Sequence, residues 1–504
     1  MAKNEVKWGA ILSYILIFLN ATYGLFLTPY MLGQIGEASY GVYKTISAFT
    51  SSLMVLDLGL GGTMMRYIAK YKADKEDHKI ANFISMGFIQ TGAVCVLVTV
   101  VTSVLYLFLD DIYAKGLTAE ELLEAKQLYV FLAVGMIAHV FENLLNGIIC
   151  GYNNFTFANG IKVLRLLFRI AAVVVFLAIF KNSMTLVIID LAITIFAVLA
   201  EAAFLFLKLG VKVRYSRWDT QVFFESFKYT ILMFITSIVA QVNTNFSNVA
   251  IGAILNSTAV TVYSMAVLIF ATYEQMSTAI SGVMLPTITN SLKDDDEHYT
   301  NTLRIVADMG RIQFILLGAV LTGFITLGRP FVEMWLGPNY GDVYYLVLIL
   351  LVPALLELCI NVCLSILRAK NMLGFRTAVI AVATALNLLI TVCGMRYIGF
   401  YSAAMGTACS FLFGSVVTMG IYYYKKLRIN ILKLYGKIFS KIWLCLVLSG
   451  VASWLISFVF NSPTVKFISG FGAFVLVYAT TLLLFGLNKN EKTIILSKLR
   501  RNRG

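Results

Sequence analysis

The run FANGIKVLRLLFRIAAVVVF, which begins at Phe157, carries Lys162, Arg165 and Arg169 at i, i+3 and i+7, on one face of a helix. A guanidinium is a planar fork of N–H donors that matches phosphate oxygens two at a time. Three cations on one face of an otherwise apolar helix therefore suit a phosphate-bearing substrate. Lys162 and Arg165 are close enough to the start of the run to snorkel to headgroups. Arg169 lies about 16 Å in, at 1.5 Å per residue, where snorkelling is harder and contact with an anion is the sharper alternative. Lys228, Arg304 and Arg311 form a similar set later in the chain.

Four carboxylates also fall inside apolar runs: Asp57, Glu142, Glu274 and Glu357. Carboxylates are expensive in such places and have a role or a partner there. They are candidate carriers of H⁺ or coordinators of Na⁺, with hydrogen bonding between helices as the alternative. Asp57 lies about 13 Å deeper than Arg66 on helical spacing, a cavity or coupling group or a structural partner to a buried base. Gln241, Asn243, Thr244, Asn245, Ser247 and Asn248 crowd one run with uncharged hydrogen-bonding groups. Gln241, Asn245 and Asn248 suit a wet, sugar-contacting wall, the alternative being polar adhesion between helices. The glycines of LDLGLGG imitate a phosphate loop only superficially. A dinucleotide fingerprint needs G-x-G-x-x-G between a strand and a helix, and a P-loop needs GK[ST]. Gly59, Gly61 and Gly62 instead suit close helix packing or a flexible point for gating.

These residues sit in a chain of 504 residues that is 59% hydrophobic and 13% charged, the balance of an all-α polytopic membrane protein. Apolar segments long enough to cross a bilayer are expected at 9–32, 41–65, 83–109, 127–150, 158–180, 184–208, 222–250, 257–290, 303–328, 341–367, 375–395, 400–424, 438–460 and 465–487, fourteen transmembrane helices in all. The first has no short h-region with a cleavage site and is expected to be a retained span. The connections alternate in charge. KYKADKEDHK, KLGVKVRYSR, RAKNMLGFR, YYYKKLRINILKLYGK and LSKLRRNRG fall on one side; GQIGEAS, DDIYAKGLTAEELLEAK, GRPFVEMWLGPNYGD and VFNSPTVK fall on the other. The basic side is cytoplasmic by the positive-inside rule, so both termini are expected there. Topology and anionic lipid thereby account for the net charge of +14 without a nucleic-acid partner. All seven cysteines lie in or beside apolar runs, as small hydrophobes do, and imply no disulfide framework and no metal site. The connections are too short to hold a soluble catalytic or nucleotide-binding domain, which disfavours an enzyme.

An internal echo links the fourth and tenth segments. A shift of 215 residues superposes Tyr129 on Tyr344, Glu142 on Glu357 and Asn146 on Asn361, and a shift of 221 places Gly61 on Gly282 and the polar run at Lys72 on that at Lys293. Paired segments six spans apart have one orientation and suit alternating access by two lobes. The expected domains are an N-terminal lobe over 1–215, a C-terminal lobe over 216–435, and a last helix pair with a basic tail over 436–504.

The stretch LGQIGEASYGVYKTISAFTSSLMVLDLGLGGTMMRYIAKY resembles the opening of the polysaccharide-lipid flippases, the O-antigen and capsule transporters of the multidrug/oligosaccharidyl-lipid/polysaccharide exporter superfamily. The resemblance implies a monomeric, V-shaped arrangement of two six-helix lobes plus a C-terminal helix pair. It implies movement of a polyprenyl-pyrophosphate-linked oligosaccharide from the inner to the outer leaflet of the bacterial plasma membrane, with a polysaccharide polymerase or ligase downstream. The cationic cavity it implies would correspond here to Arg165, Arg169 and Arg311. The alternatives are a peptidoglycan-precursor flippase, a multidrug or metabolite:cation antiporter of the same superfamily and, less favoured, a membrane glycan polymerase or glycosyltransferase. No ATP site is present, so concentrative work would fall to Na⁺ or H⁺.

Overall fold

The computed structural model describes residues 2–211, 213–214, 244–282, 300–369 and 372–488, with isolated residues between them, Gln241 included. Lys228, Asn243 and the polar run at Lys293 lie outside the described residues. Every regular element among those described is a helix. In chain order these are α1 (Ala2–Ile35), α2 (Glu37–Leu53), α3 (Leu60–Ala73), α4 (Asp77–Leu107), α5 (Leu109–Tyr113), α6 (Ala119–Gly151), α7 (Phe155–Phe180), α8 (Ser183–Ala203) and α9 (Ser257–Gly282). They continue as α10 (Thr300–Leu336), α11 (Gly341–Ile360), α12 (Cys363–Ala369), α13 (Leu373–Ile398), α14 (Tyr401–Cys409), α15 (Met419–Leu427), α16 (Ile431–Phe439), α17 (Ile442–Ser457) and α18 (Pro463–Thr481).

Eleven helical segments among the described residues are long and apolar enough to cross a membrane, or twelve if α16 and α17, which meet at a 50° bend, form one span. They match the expected segments other than the seventh and eighth. The seventh falls partly outside the described residues. The eighth corresponds to α9, whose hydroxyls, Glu274 and Gln275 make it more polar. The ends follow local chemistry. Thr118 and Glu121 form a reciprocal capping box at the start of α6, and Asn182 caps α8 through the Thr185 amide at 2.9 Å.

The second expected span, 41–65, is interrupted. After α2 come one 3₁₀ turn, Met54–Asp57, and two residues with left-handed backbone, Leu58 at φ 57° and Gly59 at φ 70°. Glycine occupies that region without a Cβ penalty, which is why the sequence breaks here. Immediately beyond, α3 lies against α6 at backbone contact. A Cβ on Gly61 would stand 2.5 Å from the Asn143 carbonyl oxygen, and one on Gly147 would stand 2.2 Å from that of Gly61. Close packing is thus the task of Gly61, while Gly62 has nothing within 4 Å of the position its Cβ would take.

The helices form two compact units, residues 1–264 with 391–400, and residues 265–390 with 401–504. In the first, α6 packs against α2, α3, α4 and α8, and α1 against α7. In the second, α10 packs against α11, α16, α17 and α18. The echo seen in the sequence has a geometric counterpart. The Tyr129 hydroxyl of α6 donates to the Thr102 carbonyl of α4 at 2.9 Å, and that of Tyr344 of α11 donates to the Ile325 carbonyl of α10 at 2.9 Å. Glu142 pairs with Arg165 of α7, and Glu357 with Arg376 of α13.

Candidate functional site

In the first unit, α1, α2, α6, α7 and α8 line a half-open cavity of about 380 Å³. Helical spacing on α7 brings Lys162, Arg165 and Arg169 to its wall together, as their shared face requires. Each arginine meets a carboxylate from a neighbouring helix. The Arg169 fork donates from Nε to Asp190 Oδ1 at 2.6 Å and from Nη2 to Oδ2 at 2.7 Å. Its guanidinium lies 5.0 Å from the centre of the Tyr23 ring, within cation–π range, and Nη2 is 3.4 Å from the Tyr43 hydroxyl. Arg165 donates from Nη1 to both oxygens of Glu142, at 2.6 and 2.7 Å, and from Nη2 to Thr194 Oγ1 at 2.8 Å. His139 Nδ1 is 3.0 Å from the same Glu142. Lys162 reaches Asn146 Oδ1 at 3.4 Å, and Asn146 donates to the fully buried Glu201 at 2.9 Å.

The two arginine pairs differ in exposure. The side chains of Arg169 and Asp190 are 27% and 28% exposed, whereas Arg165 is 31% exposed and Glu142 only 6%. A shut-in ion pair is held by its own geometry, and removing one partner costs about 3–5 kcal/mol. The two guanidiniums themselves are about equally exposed, and both are accessible to an anion in the cavity.

His139, Met54 and Met136 are shared with a second cavity of about 200 Å³, lined also by Asp57, Asn143 and Gln241. Asp57 Oδ2 accepts from Asn143 Nδ2 at 3.2 Å, and its buried Oδ1 has no hydrogen-bond partner among the described residues. Asn245 donates to Gln241 at 2.8 Å, and Ser264 to Asn248 at 3.3 Å.

Neither Asn245 nor Asn248 lines either cavity, and Glu274, Glu357, Arg304 and Arg311 belong to the second unit and line neither. Glu357 Oε1 is 4.0 Å from Arg376, and Glu274 lies close enough to Glu357 to interact electrostatically. Arg304 is exposed on the first turns of α10. Arg311 is 2% exposed and acts as a clamp. Its Nη1 donates to the Lys437 and Ser440 carbonyls, both at 3.1 Å, and its Nη2 to that of Gly486 at 3.0 Å. It thereby ties α10 to the end of α16 and to the turn that follows α18.

Asp190, Glu201, His139 and Arg376 are site residues that the sequence reading passed over. The signal for the first two was present, since both are acids within the apolar run of the sixth span. The partners of His139 and Arg376 depend on which helices meet.

Residues 7–292, more than half of the chain, match the sequence model of the family described as polysaccharide biosynthesis protein. No curated protein sequence matches the chain. Among solved structures the fold is similar to lipid II flippase MurJ in an inward closed conformation, with a TM-score of 0.73 over 94% of this chain and 98% of that one, at 13% identity. It is also similar to a multidrug resistance MATE family transporter of the MOP superfamily, inward-facing, with a TM-score of 0.62 over 83% and 99% at 15% identity. The outward-facing conformation of such a MATE family transporter gives a TM-score of 0.56 over 86% and 96%, also at 15% identity. At these identities the likeness is one of fold, whereas the sequence match spans both cavities of the first unit; the chain belongs to the polysaccharide biosynthesis protein family.

Proposed function

We propose that the protein is a flippase that moves a polyprenyl-pyrophosphate-linked oligosaccharide from the inner to the outer leaflet of a bacterial plasma membrane by alternating access. The observation that carries this reading is the pair of arginine forks, Arg165 and Arg169, on the wall of one half-open cavity in a polysaccharide-family chain. A pyrophosphate diester is doubly charged and cannot cross hydrocarbon without counter-charge. Arg169, Arg165 and Lys162 supply it, with Arg304 and Lys228 drawing the headgroup in from the cytoplasmic side. Gln241, Asn245 and Asn248 meet the sugars. Asp57, Glu142, Glu274 and Glu357 are the candidate groups for coupling to H⁺ or Na⁺. Arg311, spent on backbone carbonyls, serves the fold.

The reading includes fourteen crossings, with lobes over 1–215 and 216–435 and a helix pair over 436–504. Contacts within the first unit support the count. Leu205 and Val211 belong to a core cluster with Tyr71 and Ile80. Ser257 instead hydrogen-bonds Glu121, and Thr261 donates to the Glu37 carbonyl at 2.8 Å, at the other end of the same helices. Val211 and Ser257 thus lie at opposite ends of the unit, which supports a seventh crossing in the proposed count, and α9, about 39 Å long at 1.5 Å per residue, is long enough for an eighth.

A peptidoglycan-precursor flippase is the second reading, favoured by the fold likeness to lipid II flippase MurJ. Both substrates are polyprenyl pyrophosphates and would use the same arginines. The test is export of lipid-linked glycan in cells with the gene deleted, then restored as wild type or with Arg169→Ala. Loss of surface glycan with viability intact supports the first reading. Death on depletion, rescued by a peptidoglycan-precursor flippase, supports the second. Normal export with Arg169→Ala at normal membrane abundance removes the headgroup site from both.

A further inference from the structure

Between α15 and α17 the connection is itself a helix, α16, which meets α17 at a 50° bend. Its nine residues span about 13 Å at 1.5 Å per residue, too little to cross about 30 Å of hydrocarbon alone. One stripe, Ile431, Leu434 and Ile438 at i, i+3 and i+7, is buried. Ile438 fills the space left by Gly310 of α10, where a Cβ would stand 2.5 Å from its Cδ1, and the Tyr435 hydroxyl donates to the Leu356 carbonyl of α11 at 2.8 Å. The opposite face carries Leu432, 82% exposed, with Gly436 one turn on and the exposed Lys433 and Lys437 beside them. Lys441, also exposed, follows at the bend. We propose that α16 lies along the membrane surface and docks on anionic phospholipid headgroups through Lys433, Lys437 and Lys441, with Leu432 seated among the acyl chains. The assignment does not depend on what the protein transports.

Charge complementarity selects this occupant. No Asp or Glu occurs in the sequence between Glu357 and Glu491. The end of α15 and the residues after it add Lys425, Lys426 and Arg428, all exposed. From α10, on which α16 packs, Arg304 and Asp308 are exposed, one charge of each sign, and Arg311 is spent on carbonyls. Glu357 of α11 pairs with Arg376. A basic face meant only for water has no use for an exposed leucine at its centre, whereas an interfacial helix sets an apolar side chain among lysines. The lysine stems can then lie along the chains while the ammonium groups reach the phosphates.

The buried side of the helix gives the contact a consequence. Arg311 takes the Lys437 and Ser440 carbonyls, so the turn that it fastens to α10 is the turn whose outer side carries Lys437 and Lys441. Headgroups hold from outside the turn that Arg311 holds from inside. Anionic lipid should therefore stabilise the second unit.

The test uses the full-length chain without its native cysteines and with Gly436→Cys carrying a bimane; a Cβ there meets nothing within 4 Å. It is reconstituted in vesicles of phosphatidylcholine with phosphatidylglycerol as the minor lipid in both leaflets, so that the direction of insertion does not matter. Bromine is placed on the acyl chain of one lipid or the other in parallel samples. One lysine at an anionic surface is worth about fivefold in lipid occupancy. Quenching at 436 should report phosphatidylglycerol enriched at least about fivefold over its bulk share, the enrichment shrinking as salt rises. A bimane on Leu476→Cys, exposed in the middle of α18, should report the bulk ratio. Changing Lys433, Lys437 and Lys441 together to Gln should return position 436 to the bulk ratio. It should also abolish the rise in thermal midpoint that phosphatidylglycerol gives wild type in nanodiscs. The comparison of 436 with 476 stands whether or not the triple variant folds. A bulk ratio at 436, or enrichment that survives the triple substitution, would overturn the inference. So would the absence of quenching by either lipid, which leaves the face to water, or pyrene excimers between labels at 436, which give it to a second copy of the chain.

Discussion

At the scale of single residues, Arg169 and Arg311 are two arginines of similar depth in the sequence with different tasks. Arg169 offers a fork whose present occupant is a carboxylate; Arg311 is filled by three carbonyls from two segments. Arg169→Ala is expected to lower glycan export about tenfold to a hundredfold, the worth of one charged hydrogen-bonded contact, at unchanged membrane abundance. Lys at 169 should recover only part, since it keeps the charge and loses the fork, and Lys426→Ala in the exposed end of α15 should export normally. Arg311→Ala should instead act on stability, lowering abundance and the thermal midpoint in detergent, because it takes the Arg311 donor from the Ser440 and Gly486 carbonyls at about 1–3 kcal/mol each, while the Lys437 carbonyl keeps the Ser440 hydroxyl. Transport per folded molecule should stay near wild type. The basic triad of α7 was legible in the sequence because chemistry-bearing side chains stand out in an apolar run. The clamp at Arg311 was not, because depth along a helix says nothing about which loop ends meet it.

At the scale of elements, the span positions followed from apolar run length, and eleven expected segments have their helices among the described residues, twelve if α16 and α17 form one span. The break in the second span could be located but not characterised from LDLGLGG alone. Three glycines look alike in sequence, and the fold assigns them separate tasks. Gly59 turns the chain through left-handed backbone, Gly61 admits the backbone of α6, and Gly62 faces open space. Gly61→Ala should therefore cost about 1–3 kcal/mol as overpacking against a carbonyl that cannot yield, read as a lower melting temperature, and Gly147→Ala should do the same from the other side. Gly62→Ala should be neutral or slightly stabilising, as alanine is the better helix former. Equal loss at Gly61 and Gly62 would mean that the α3 and α6 contact is not the reason for the small residues.

At the scale of the whole molecule, the echo at a shift of 215 residues is a repeat of tasks as well as of letters. In each copy the tyrosine fastens to the preceding helix and the glutamate pairs with an arginine of the following span. Copies in one orientation separated by six crossings require an even number of spans between equivalent points, which makes the membrane sidedness of the loops a test of the entire plan. Thr118 caps α6 and Asn339 lies in the 3₁₀ turn before α11. Both are expected outside, whereas Lys75 and Lys433 fall in the basic connections expected inside. Asn256, at the start of α9 beside the capping box of α6, should also be outside. Single cysteines at these positions, in a background without the native seven because Cys393 is exposed, should react with an impermeant maleimide added to intact cells at 118, 256 and 339. Those at 75 and 433 should react only after permeabilisation. Protection at 256 with labelling at 118 and 339 would remove the seventh and eighth crossings and leave twelve. Opposite behaviour at 118 and 339 would break the parity on which two copies of one orientation depend.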